Sequence, residues 1–227
     1  EGTVQRVDGQ IRIDARLVDA RSGGQIWTDT FIKELTAANF YAIQSDISTA
    51  IATVLETELR NDEQERIDEV LTENLTALEA YFAGNKLLQD RTTASLQASI
   101  AEFERATQLD TQFAEAWAGI AEAWLALYEY DADADPLRVR RKASSASIWA
   151  VTLDPDSPQA LAVLGWHLLL HNYDWTGAEN AFRNALQVDR SNINALHWYS
   201  HLLAWQGKHE DAIAAAQLGL TVDPLSR

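Results

Sequence analysis

Two histidine pairs, His167/His171 and His197/His201, are each spaced four residues apart. On a helix that spacing brings two imidazoles to one face, the arrangement that metal sites use. The residues between them are Leu168-Leu169-Leu170 and Trp198-Tyr199-Ser200, so neither pair has the glutamate that a zinc hydrolase places beside its first histidine. No third ligand is evident, and an ordinary packing or polar role is the expectation. Asp131-Ala132-Asp133-Ala134-Asp135 begins like a calcium loop, but Pro136 and Lys142 stand where such a loop needs glycine and glutamate. It reads as a solvated connection between helices. Gly23-Gly24 has no following Lys-Ser/Thr and no third glycine, so it reads as a hairpin turn rather than a phosphate loop. The chain has no cysteine, which removes thiolate catalysis, disulfides and thiolate metal sites. No nucleophile–base–carboxylate set stands out. The reading is therefore of no catalytic residue, no cofactor and no metal.

The 227-residue chain around these residues is 47% apolar, enough for a packed core. Its 34 acidic against 18 basic side chains give a net charge of −16, which opposes direct nucleic-acid binding. No apolar run reaches the roughly 20 residues of a membrane span. The one basic run, Arg138-Val139-Arg140-Arg141-Lys142, reads as a solvated helix start. The chain opens on Glu1 and lacks methionine, so it is expected to be a piece of a longer protein.

Residues 4–31 alternate in the strand period: Ile11, Ile13, Ala15 and Leu17 against Arg12, Asp14 and Arg16. With turn signals at Asp8-Gly9 and Ser22-Gly23-Gly24, and Trp27 and Phe31 on one face, this predicts a three-stranded meander. From Thr36 the period becomes helical through Phe40, Ile43, Ile47, Ile51, Val54 and Leu55, predicting a helix to about Leu59. The expected divisions are a small α/β piece over 1–60, a charged connector over 61–74 and a helical array over 75–227.

The array repeats. Four segments end at Asp110, Asp154, Asp189 and Asp223, successively 44, 35 and 34 residues apart. Two of these intervals match the tetratricopeptide period, and the first carries an insertion of about ten residues. Small and large residues recur in alternate helices, as in Ala80-Ala83-Gly84-Leu87 and Leu161-Leu164-Gly165-Leu168, then Ser99-Phe103-Ala106 and Ala178-Phe182-Ala185. Over residues 75–227 the chain thus resembles the tetratricopeptide-repeat family, which implies about four antiparallel helix pairs wound as an α-α superhelix. The fold class expected is mainly α, with the small α/β piece in front.

By that resemblance, the concave groove is lined by the first helix of each pair. The lining maps onto Tyr81, Asn85, Glu115, Glu122, Gln159, Trp166, Asn194, His197, His201 and Trp205. The resemblance implies a protein or peptide partner. Trp117 and Trp124 map onto packing positions instead. Gly2-Thr3-Val4, Arg12 to Ala20, Gly23 to Trp27 and Ala42 to Ile47 resemble the end of a TolB-like domain, which in bacteria often precedes such repeats. That implies a regulatory part of a signalling protein, beside an adenylate cyclase or DNA-binding domain. The alternative is a homodimerising module, since the chain stops at Leu225-Ser226-Arg227, where another repeat would begin. The expected compartment is the cytoplasm, or the periplasm if a preceding segment spans a membrane.

Overall fold

The computed structural model describes residues 1–56, 59 and 61–224, which fall into two compact units, Glu1–Leu75 and Thr76–Arg227. In the first unit, β1 (Gly2–Val7), β2 (Gln10–Val18) and β3 (Gln25–Glu34) form an antiparallel sheet in that order. Asp8 and Gly9 both take positive φ, 49° and 76°, as a tight two-residue hairpin requires. The β2–β3 turn is held by Asp19, whose Oδ1 accepts the backbone N–H groups of Arg21 and Ser22 at 2.7 and 2.9 Å. The register opposes Ile13 to Phe31 and Leu17 to Trp27, putting the two aromatics on one face as the alternation predicts.

Helix α1 (Ala37–Val54) follows, its N-cap Thr36 accepting the Asn39 N–H. Ile43, Tyr41 and Ala37 are its buried residues. The helix stops five residues short of the expected Leu59. Leu55 is 53% exposed, and Glu56 has a φ of 53°, a left-handed conformation that breaks the turn. The periodicity test counts Leu55 because it sees residue type and not the backbone reversal. Within the stretch expected as a connector lies α2 (Asn61–Ile67). After it, Asp68 accepts hydrogen bonds from Ser45 and Gln64.

The second unit is a stack of antiparallel helix pairs. They are α3 (Leu75–Gln89) with α4 (Thr93–Leu109), α5 (Ala114–Tyr130) with α6 (Pro136–Leu153), α7 (Pro158–His167) with α8 (Trp175–Val188), and α9 (Ile193–Trp205) with α10 (His209–Val222). The expected mainly-α array of four pairs is what forms. The small–large alternation works as anticipated. A Cβ added at Gly84 or Gly119 would lie 2.7 Å from the Phe103 ring, and one at Gly165 would lie 2.8 Å from Phe182. Each phenylalanine is fully buried, and each fills the space that the missing side chain leaves. Ser99 donates to the Gly84 carbonyl at 2.8 Å, tying α4 to α3.

The recurring aspartate has a specific task. Asp110, Asp154 and Asp189 are each the extended C-cap of a second helix. Each Oδ1 then accepts the N–H two residues on, at 2.9–3.0 Å, from Gln112, Asp156 and Ser191. The same side chain ends one pair and turns the backbone into the next. The ten-residue insertion appears as longer helices: α5 and α6 have 17 and 18 residues against 14 in α8. At their tip, Asp131 accepts the Asp133 N–H and Asp135 caps α6 through Leu137, so two of the calcium-like carboxylates serve the backbone. None of the helices is long and apolar enough to cross a membrane among the described residues.

Candidate functional site

Helices α5, α7 and α9 pack in succession and, together with α3, present one polar face. Tyr81, Asn85, Glu122, Gln159 and Asn194 come together there, lining a single cavity of about 690 Å³. Gln89, Arg91, Asn192 and Asp223 line it too. At its centre Glu122 is 8% exposed. Its Oε2 accepts Gln159 Nε2 at 2.6 Å and Asn194 Nδ2 at 3.2 Å, while Asn194 also donates to Gln159 Oε1 at 3.3 Å. Both bonds fall on one oxygen of Glu122; its Oε1 has no hydrogen-bond partner among the described residues.

Burial pushes the Glu122 carboxyl up to about 7, although the charge of Arg91 and the two amide bonds act the other way. Arg91 sits in the turn between α3 and α4 with a φ of 49°, its guanidinium 5.8 Å from the centre of the Tyr130 ring. Tyr130 lies eight residues beyond Glu122 on α5, about 12 Å along the helix axis. Arg91 therefore lines the cavity without forming an ion pair with Glu122.

The other expected groove residues form an aromatic cluster further along α7 and α9. Trp166 is 6% exposed and stacks on Trp198 at 5.7 Å and on Trp205 at 6.2 Å. Trp205 is half exposed and meets Trp175 edge-on at 6.2 Å. His201 packs against both Trp166 and Trp205, and its Nε2 is 3.1 Å from that of His197, one ring donating to the other. Desolvation by these rings, and then the neighbouring His201, holds His197 below the ordinary imidazole range. Trp166 is thus the floor of the cluster and Trp205 its open face. Glu115 lies in the first turn of α5, outside the cavity lining. Tyr81 is half-buried, its ring 5.0 Å from Phe113.

The first histidine pair differs. Helix α7 widens into a π-helical turn over Leu168–Asn172, immediately after His167. His167 is 1% exposed, and neither ring nitrogen has a hydrogen-bond partner among the described residues. Desolvation, then His171 and Arg140, push it down to about 4, so it is a neutral core imidazole. No third histidine, cysteine or carboxylate joins either pair at ligand spacing among the described residues. Members of the basic run make local contacts: Arg138 covers the Trp124 ring at 5.1 Å, and Lys142 lies 3.9 Å from Glu104. Trp124 is buried as expected, while Trp117 is half-buried and stacks on Trp149.

Sequence reasoning passed over Arg91, Asn192 and Trp198. Asn192 caps α9 by accepting the Ala195 N–H, a recognisable N-cap signal. Arg91 sits in a turn, where helical periodicity assigns no face.

Comparison with known proteins identifies this fold. A thermophilic tetratricopeptide-repeat protein of Thermus thermophilus, TTC0263, superimposes with a TM-score of 0.54 at 16% identity, over 84% of this chain and 89% of its own. The second unit is a tetratricopeptide-type superhelix. MamA from Desulfovibrio magneticus RS-1 gives a TM-score of 0.44 at 13% identity, covering 83% of this chain and 96% of that one. By sequence, a Rhizobium meliloti (strain 1021) protein named adenylate cyclase 3 is 32% identical over 66 residues, 29% of this chain. The match spans 11% of that relative's length. No protein-family model matches the chain.

Proposed function

We propose that the chain is a protein-interaction scaffold that binds a peptide or helix along the face of α3, α5, α7 and α9. The supporting observation is the convergence of Tyr81, Asn85, Glu122, Gln159 and Asn194, drawn from four helices, on one cavity of about 690 Å³. Amide side chains offer both donors and acceptors to a peptide backbone. The half-exposed Trp205 beside His201 offers an apolar anchor of the kind that dominates interface energies. Stacked helical repeats use such extended concave surfaces for partners.

The 66-residue likeness to a protein named adenylate cyclase supports a regulatory role in a bacterial signalling protein. In this reading residues 1–60 are the end of a TolB-like domain, 61–74 a connector and 75–227 the binding array. Selection of displayed peptides on the full chain tests the scaffold role. Substituting Trp205→Ala and Glu122→Gln then weakens the selected peptides. Failure to select any peptide, or affinities indifferent to both substitutions, refutes it.

A second reading rests on α10. Ile213 and Leu220, seven residues apart on one face, are each 57% exposed. A second copy of this chain would cover them, making the array a homodimerising element. Light scattering across a concentration series tests this; a monomer at every concentration refutes it.

A further inference from the structure

The cavity holds a carboxylate with no cation at ion-pair distance among the described residues. Glu122 is buried, its Oε2 takes both amides, and no described residue bonds its Oε1. No lysine, arginine or histidine lies within ion-pair distance of it among the described residues. A buried carboxylate held in place without a cation is the costly half of an ion pair, and a ligand that brings the other half recovers that cost. The remaining lining among the described residues holds one cation, Arg91, whose charge reaches Glu122 from beyond ion-pair distance while its guanidinium covers Tyr130, and it adds a second carboxylate, Asp223. The chain as a whole carries −16, so a basic segment is also the one drawn towards it.

We propose that the cavity receives a cationic side chain, a lysine ammonium or an arginine guanidinium of a bound peptide, on the free oxygen of Glu122. This rests on the scaffold reading above and names the chemistry its groove selects. Gln159 and Asn194 hold the carboxylate in register by donating to Oε2 and so leave Oε1 for the arriving donor. Tyr81, half-buried at the cavity wall, gives the aliphatic stem of a lysine or arginine an apolar surface. A carboxylate ligand would meet Glu122 as a like charge.

The experiment uses the whole chain and blocked alanine-based octapeptides that differ only at one central residue: arginine, lysine, citrulline or glutamate. Nα-acetyl-arginine amide serves as a free probe, and binding is read by calorimetry. The arginine or lysine octapeptide binds at least about tenfold tighter than the citrulline one, a difference of the size expected for a desolvated charge pair. Comparing arginine with lysine tells which cation fits. E122Q removes the preference, leaving arginine and citrulline within about twofold of each other. R91A leaves the preference intact or enlarges it.

Glutamate or citrulline binding as tightly as arginine overturns the proposal while leaving peptide binding in place, and so does a preference that survives E122Q. Binding of the acetyl-arginine amide that depends on Glu122, with no octapeptide bound, upholds the cation site and removes the peptide reading. Absence of all binding removes both.

Discussion

Replacing Glu122 by glutamine should make the free protein more stable at neutral and alkaline pH. The unfolded chain ionises this carboxyl at its ordinary 4.5, while burial raises it to about 7 in the folded state. The folded form therefore binds the proton more tightly, so this group's contribution to stability is greatest at low pH. It declines as pH rises from 4.5 towards 7 and is flat above that. The difference corresponds to about 3 kcal/mol at pH 8, taken as an upper bound. Because Glu122 is 8% exposed, solvent screening removes little of it.

Glutamine has the same shape, and its carbonyl oxygen can still accept from Gln159 and Asn194, so the substitution removes the charge and keeps the bonds. Urea unfolding followed by tryptophan fluorescence suits the question, since seven of the eight tryptophans lie in the second unit. E122Q should match the parent chain near pH 4.5 and exceed it by about 1–3 kcal/mol at pH 8, the size of an uncompensated buried charge. The difference between the two chains is the readout, because every other titrating group is common to both. An E122Q protein less stable than the parent at pH 8, or with an unchanged pH slope, would refute the argument.

Gly84→Ala and Gly119→Ala drive a methyl into the Phe103 ring and should each cost about 1–3 kcal/mol, seen as a lower thermal midpoint. His167 behaves oppositely to Glu122: its imidazole is held at about 4 against an ordinary 6.5, so stability is lost as pH falls through that interval. H167L should flatten the acid limb of the stability curve, and an unchanged limb would count against the assignment. Asp154→Ala removes the bond to Asp156 N–H at the junction of two helix pairs and should cost about 1 kcal/mol in denaturant titration. Trp205→Ala should leave the midpoint nearly unchanged, since half of that ring is already in water, while weakening any peptide that uses the groove.

Much of this molecule is legible in its residues because helical repetition is a local property. The aspartate interval, the glycine–phenylalanine pairs and the strand alternation each depend on neighbours within one or two elements. Gln159 and Asn194 take the same place in their repeats, the second position of α7 and α9. Their common partner, Glu122, stands seven residues further along in its own repeat. That offset is a relation between repeats, which no single repeat encodes. The π-helical turn after His167 and the reversal at Glu56 were hidden for a related reason. Both are backbone departures within stretches whose side-chain pattern still reads as helix.

The two bonds to Glu122 span 37 and 72 residues of sequence, reaching from the second helix pair to the third and fourth. In mechanical terms they are a chord drawn across an arc. Helix pairs that touch only their neighbours bend like the coils of a spring, each junction adding a little compliance. A chord fixes how far those coils open. A ligand on the carboxylate would act on the same chord, so occupancy of the cavity is expected to bear on how far the second to fourth pairs open. Small-angle scattering of the chain and its N194A variant would read that opening, and identical radii would show that the chord carries no load.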